Sequence, residues 1–202
     1  AMKRIISILH IAFFISTFLF SMSSEDTNIG LLMEKNKGAF CMSSNLVLTP
    51  QKPSSNQAIG YTRYINASFL FPNEMQFSFG NSLENNDRYS YLGFSYYIKD
   101  KNYTLGVNIK SHYNTNLNYR KKPKELGGSF AYKISEQILT PYMKYTLRQY
   151  HIGKNLQLLT VGAFASISQT IFSFSYTLPI NADPAFYNGK GEVSINLGVF
   201  LN

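Results

Sequence analysis

The chain has no tryptophan, one cysteine, three histidines and few charges, only 15% of its 202 residues. Each scarcity excludes something. A lone Cys41 cannot form an internal disulfide, and it reads as an inert buried thiol. His112 and His151, the histidines beyond the N-terminal apolar run, have no neighbouring cluster of His, Cys, Asp or Glu, so no metal site is expected. Nor does the spacing supply an orienting carboxylate for a catalytic base. Ser111 and His112 are adjacent, but neighbours on a strand point to opposite faces and cannot act as a nucleophile–base pair. No Gly-rich phosphate loop is present, and no linker or low-complexity tract divides the chain. These absences argue against an enzyme, a cofactor and a second domain.

What is abundant is aromatic and apolar: 15 Tyr, 16 Phe and a hydrophobic fraction of 45%. Soluble domains carry about 25% charged residues. Few charges beside many aromatics fit a wall in lipid. At the N-terminus, Lys3 and Arg4 precede an apolar run, Ile5 to Phe20, that breaks into Ser21-Met22-Ser23-Ser24. This is the layout of a secretory signal peptide. The run falls short of the roughly 20 apolar residues of a spanning helix. Residues 1–24 are therefore set aside as a leader, leaving 25–202 as one domain. Without Lys3 and Arg4, 17 basic side chains face 11 acidic ones. The balance suggests anionic surroundings, not nucleic acid.

The dominant signal has period two. Phe172, Phe174, Tyr176, Leu178 and Ile180 alternate with Ser173, Ser175 and Thr177. Val193, Ile195, Leu197, Val199 and Leu201 alternate with Glu192, Ser194, Asn196 and Gly198. The same alternation runs through 92–98 and 103–110, and more weakly through 40–49, 58–71, 75–82, 126–135, 139–150 and 157–167. Helical periodicity explains none of these runs. The pattern predicts ten strands, with eight to twelve compatible with other divisions of 28–71.

Both a soluble sandwich and a membrane barrel need this period. Strand length, a polar face of Ser, Thr, Asn and Gly, and loop alternation favour the barrel. The expected links are Pro50–Gln57, Pro72–Glu74, Leu83–Arg88, Lys99–Asn102, Thr115–Glu125, Glu136–Gln137, His151–Asn155, Ser168–Gln169 and Asn181–Lys190, long and short in turn. That is the habit of outer-membrane barrels, with long outer loops and short periplasmic turns. The predicted fold is all-β, a closed antiparallel up-and-down transmembrane β-barrel.

Strand parity points Lys110, His112, Lys133, Lys144, Arg148 and Glu192 into the lumen. Two readings follow: a basic passage or binder for anionic solutes, or a packed interior in which Glu192 pairs with one of the bases. Barrels of this size are usually filled by their side chains. Arg120, Lys121, Lys122 and Lys124 form a basic patch in the longest outer loop, suited to lipopolysaccharide phosphates. Tyr89, Tyr103, Tyr113, Tyr142, Tyr150 and Phe71, near strand ends, are expected in the interfacial girdles.

The leader, the alternating strands and the final segment Leu197-Gly198-Val199-Phe200-Leu201-Asn202 resemble small bacterial outer-membrane barrels in general. The last strand resembles the signal read by the barrel-assembly machinery, with two residues beyond Phe200. The segments Gly128-Ser129-Phe130-Ala131-Tyr132-Lys133-Ile134, Leu139-Thr140-Pro141-Tyr142, Ser175-Tyr176-Thr177-Leu178-Pro179 and Asn188-Gly189-Lys190-Gly191-Glu192 are similar to the PorP/SprF membrane proteins. That resemblance implies a role anchoring a secretion or adhesion assembly, with no catalytic residues. The expected function is thus a non-enzymatic outer-membrane barrel with a structural, surface-attachment or anchoring role. Its partners would be outer-membrane lipid, lipopolysaccharide, the assembly machinery and an envelope protein. A porin-like channel for anionic solutes and a soluble periplasmic β-barrel binder are the alternatives.

Overall fold

A computed structural model describes residues 29–50, 59–82, 89–114, 124–133, 139–149, 155–181 and 191–201. The leader assigned to 1–24 lies outside these residues, as do Arg120, Lys121, Lys122, Tyr150 and His151. After a short 3₁₀ turn, Ile29–Leu31, come ten strands: β1 (Ala39–Pro50), β2 (Ile59–Leu70), β3 (Met75–Ser82), β4 (Tyr89–Lys99), β5 (Tyr103–Asn114), β6 (Lys124–Tyr132), β7 (Leu139–Gln149), β8 (Asn155–Ile167), β9 (Thr170–Asn181) and β10 (Glu192–Leu201). Each pairs antiparallel with its chain neighbours, and β1 closes on β10 from Phe40↔Leu201 to Leu48↔Val193. Closure leaves no edge strand, so the ladder can satisfy backbone groups without water.

Alternation of side chains across this wall decides which way it faces. On β5, Val107 and Ile109 are each 59% exposed, whereas Lys110 between the next two outward positions is 2% exposed. Phe172, Phe174, Tyr176, Leu178 and Ile180 of β9 point outward, and Ser173, Ser175 and Thr177 are buried inside. A soluble barrel needs the opposite assignment. The apolar exterior therefore excludes the soluble binder and suits a bilayer.

The two ends of the barrel differ. The turn end carries tight links such as Ser168–Gln169 between β8 and β9, where Ser168 adopts a left-handed φ of 56°. One expected turn is wrong: β6 ends at Tyr132 and β7 begins at Leu139, so their link exceeds the predicted Glu136–Gln137. The predicted strand 126–135 was placed too far along the chain because Lys124 and Glu125 read as loop charges. In β9, Pro179 is accommodated beside a register irregularity, with Leu158 opposite Pro179 and Gln157 opposite Asn181.

The hydrophobic core lies inside the turn-end half of the lumen. Cys41, Leu70, Tyr97, Ala131, Tyr142, Phe164, Ile171 and Phe200 pack there against Ile29 and Leu31 of the chain entering β1. Tyr142 stacks on Phe164 at a centroid separation of 4.2 Å. Its ring is only 6% exposed, which corrects its expected place in the girdle. The parity of β7 explains this, because Tyr142, Lys144 and Thr146 share the inner face. Tyr103, Tyr113 and Phe71 do face outward.

The lipid-facing assignment makes a depth-dependent prediction. Val107→Arg, halfway along β5, is expected to destabilise the barrel in lipid vesicles by about 2–4 kcal/mol, and Ser111→Arg, nearer the loop end, by about 1 kcal/mol or less. Urea unfolding followed by gel mobility reads both. Equal costs at the two depths would contradict the orientation given to this wall.

Candidate functional site in the barrel lumen

Two polar clusters sit inside the wall, one at each end. At the turn end, residues 29–36 fold over the lumen. Gln76 on β3 accepts from the Gly30 backbone N–H at 3.0 Å and from the Tyr97 hydroxyl at 3.1 Å. A Cβ at Gly30 would stand 2.0 Å from Cε2 of Tyr97, so only glycine lets the chain lie on that ring. Glu74, in the β2–β3 turn with φ 68°, accepts from the Asn36 N–H at 2.7 Å and pairs with Lys99 Nζ at 2.5 Å. A left-handed glutamate is uncommon. Here its carboxylate ties the turn to the entering chain. Lys99 also donates to the Glu34 carbonyl, and Lys133 to that of Met33, each at 3.3 Å. Burial, with the ammonium of Lys99 close by, holds Lys133 below the usual lysine range, against the opposing pull of Glu34 and Glu74.

At the loop end the organising group is Glu125, which sequence reading left in a loop. The structure places it second in β6, facing inward and 4% exposed. Its carboxylate lies 2.7 Å from Arg148 Nε, 3.0 Å from His112 Nε2 and 3.8 Å from Lys110 Nζ. Cross-strand register brings these together, since Glu125 is opposite both Lys110 on β5 and Arg148 on β7. Lys110 also stands 4.5 Å from the centroid of the buried Tyr91 ring, within cation–π range. Tyr91 in turn donates to Asn66 at 2.7 Å. The missed signal was compositional: three bases aimed at one end of a lumen require an acid, and the even-numbered outward positions of β6 place Glu125 inside.

Beside this cluster the register aligns Ser129, Lys144, Thr160, Thr177 and Glu192 on successive strands β6 to β10. The Thr160 and Thr177 hydroxyls are 2.9 Å apart. Glu125, Lys144, Arg148 and Glu192 line a cavity of about 20 Å³ there. The predicted lumen residues therefore fall into two places. Lys110, His112, Lys144, Arg148 and Glu192 gather toward the loop end, and Lys133 stands apart at the turn end. Lys124 is the exposed first residue of β6, not part of a loop. Among the described residues, no group of His, Cys, Asp and Glu could hold a metal.

A closed antiparallel wall, apolar outside and polar within, defines a transmembrane β-barrel protein. The solved NanC porin is similar in fold, with a TM-score of 0.52 at 13% identity over 81% of this chain and all of that one. A de novo designed transmembrane β-barrel aligns over 84% of this chain and all of its own, at 15% identity and a TM-score of 0.39. No family model matches the chain, and no curated protein matches it significantly.

Glu125 is the group whose loss the lumen tolerates least. Glu125→Gln leaves Lys110 and Arg148 crowded without their shared counter-charge, and the expected cost is about 3 kcal/mol. Urea midpoints of the wild type and variant in the same micelle measure it. A loss below about 0.5 kcal/mol would mean that water, not Glu125, balances those cations.

Proposed function

We propose that this protein is a non-enzymatic outer-membrane barrel that serves as a closed envelope element, anchoring or seating a partner through its loops and termini. The observation that carries this reading is the occupied lumen. Ile29 and Leu31, both fully buried, cap an apolar half-lumen at one end. At the other, Glu125 joins the adjacent strands β5, β6 and β7 along the inner wall. The cavity beside Glu125 has room for about one water, which needs on the order of 10–15 Å³. A solute pathway requires a continuous bore, and the apolar packing around Ile29 and Leu31 and the Glu125 cluster each occupy lumen space that a bore would need. The PorP/SprF-like segments, the basic run Arg120 to Lys124 and the lipid-facing aromatics support an anchoring role beside lipopolysaccharide.

A second reading, a porin-like passage for small anions, draws on the excess of inward cations. Planar-bilayer conductance of heat-modifiable, folded protein separates the two. The expected result is no discrete conductance steps at neutral pH in ordinary salt. Anion-selective steps that vanish in Lys110→Met or Lys144→Met would instead establish the passage and end the closed-element reading.

A further inference from the structure

Residues 29–36 cover the turn-end lumen without joining the wall. Among the described residues, the backbone–backbone bonds of this cover are internal, from the Leu32 and Met33 N–H groups to the Ile29 carbonyl. The strand ladder closes without it. Four wall side chains hold it instead, each by one backbone atom: Gln76 at Gly30, Glu74 at Asn36, Lys99 at Glu34 and Lys133 at Met33. Ile29 and Leu31, both 0% exposed, are its buried anchors, and Leu32 and Met33 pack more shallowly.

We propose that the cover is a displaceable plug, which swings out as a unit and admits water to the turn-end lumen while the wall stays folded. Two observations beyond its separation from the ladder carry this. Each polar tie ends on a backbone N–H or C=O of the cover, and such groups exchange a protein partner for water at small net cost. The closed state also leaves polar groups short of partners on the turn-end stretch of the inner wall. Ser68 and Ser78 lie opposite each other on β2 and β3, and Thr104 on β5 lies opposite Lys99. All three are at most 1% exposed, and among the described residues their hydroxyls have no hydrogen-bond partner. Buried hydroxyls in that condition are costly, so water entering behind the cover offsets part of the loss of apolar contact. The fit is tightest at Gly30, where a Cβ would stand 2.0 Å from Cε2 of Tyr97. The plug rests on the reading of the lumen as closed, which wild-type conductance tests separately.

Cys41, the one cysteine of the chain, reports on the plug, since it is 1% exposed in the same cluster as Ile29 and Leu31. The test is the rate at which a charged, water-soluble methanethiosulfonate labels it in folded protein in detergent micelles, wild type against Gly30→Ala. That substitution unseats the cover and alters no strand. The expected result is a retained heat-modifiable band with labelling about tenfold faster, because only the opening of the cover is shifted. In the wild type itself, hydrogen exchange at the Gly30 and Asn36 amides is expected to run about 100-fold faster than at the amides of β5, a reading that needs no variant to fold. Labelling of folded Gly30→Ala at the wild-type rate, exchange of the cover in step with the wall, or loss of the heat-modifiable band in Gly30→Ala each overturns the plug. Residues 29–36 are then a permanent part of the core.

Discussion

Backbone hydrogen bonding without water is the constraint on which the rest of this structure depends. In hydrocarbon an unpaired N–H or C=O costs several kcal/mol, so a sheet must close. Pairing of β1 with β10 completes that closure. It also fixes a strict division of faces, because a strand that shows lipid its odd residues must send the even ones inside. Val107 and Ile109 go one way, and Lys110 and His112 the other, as a consequence of one register.

That division creates the second problem, a narrow interior into which polar side chains are forced. Ten strands enclose a space that side chains can fill. The protein solves the two halves by different physics. The turn-end half behaves like an ordinary core, with Tyr142 stacked on Phe164 and Ile29 and Leu31 closing it from below. The loop-end half holds charges, for which Glu125 provides the common counter-ion. Buried ionic clusters are poor sources of net stability, since desolvation offsets their attraction. Their value here is registry: Glu125 satisfies Lys110 and Arg148 together only if β5, β6 and β7 are aligned as observed. A slip of one residue would send the carboxylate into lipid.

Most of the wall was legible in the sequence because period two is a direct imprint of the two solvents on either side of a strand. All ten strands were readable, and the inner faces of β5 and β7 named Lys110, His112, Lys144 and Arg148. Misplacements occurred where a residue's chemistry suggested one environment and its parity another. Glu125 was read as loop because acids cluster there, yet parity continued the strand through it. Tyr142 was read as girdle because tyrosines favour interfaces, although its own strand placed it beside Lys144. The cover formed by residues 29–36 left no periodic signal. Its polar contacts are made by backbone atoms of Gly30, Met33, Glu34 and Asn36, and only the positions of Gln76, Glu74, Lys99 and Lys133 on four separate segments make them meaningful.

The two solutions also determine how the lumen can change. At the turn end, release of the cover requires extracting Ile29 and Leu31 from apolar contact while breaking the Glu74–Lys99 pair and the bonds to Gln76. At the loop end, the corresponding step is separating Glu125 from Arg148, Lys110 and His112 at once. Neither is a small side-chain rotation, and the two share no residue, so one can yield without the other. The loop-end interior is polar because the lipid claimed the apolar residues of the strands, and the turn-end interior is apolar because the chain entering β1 brings Ile29 and Leu31 to it.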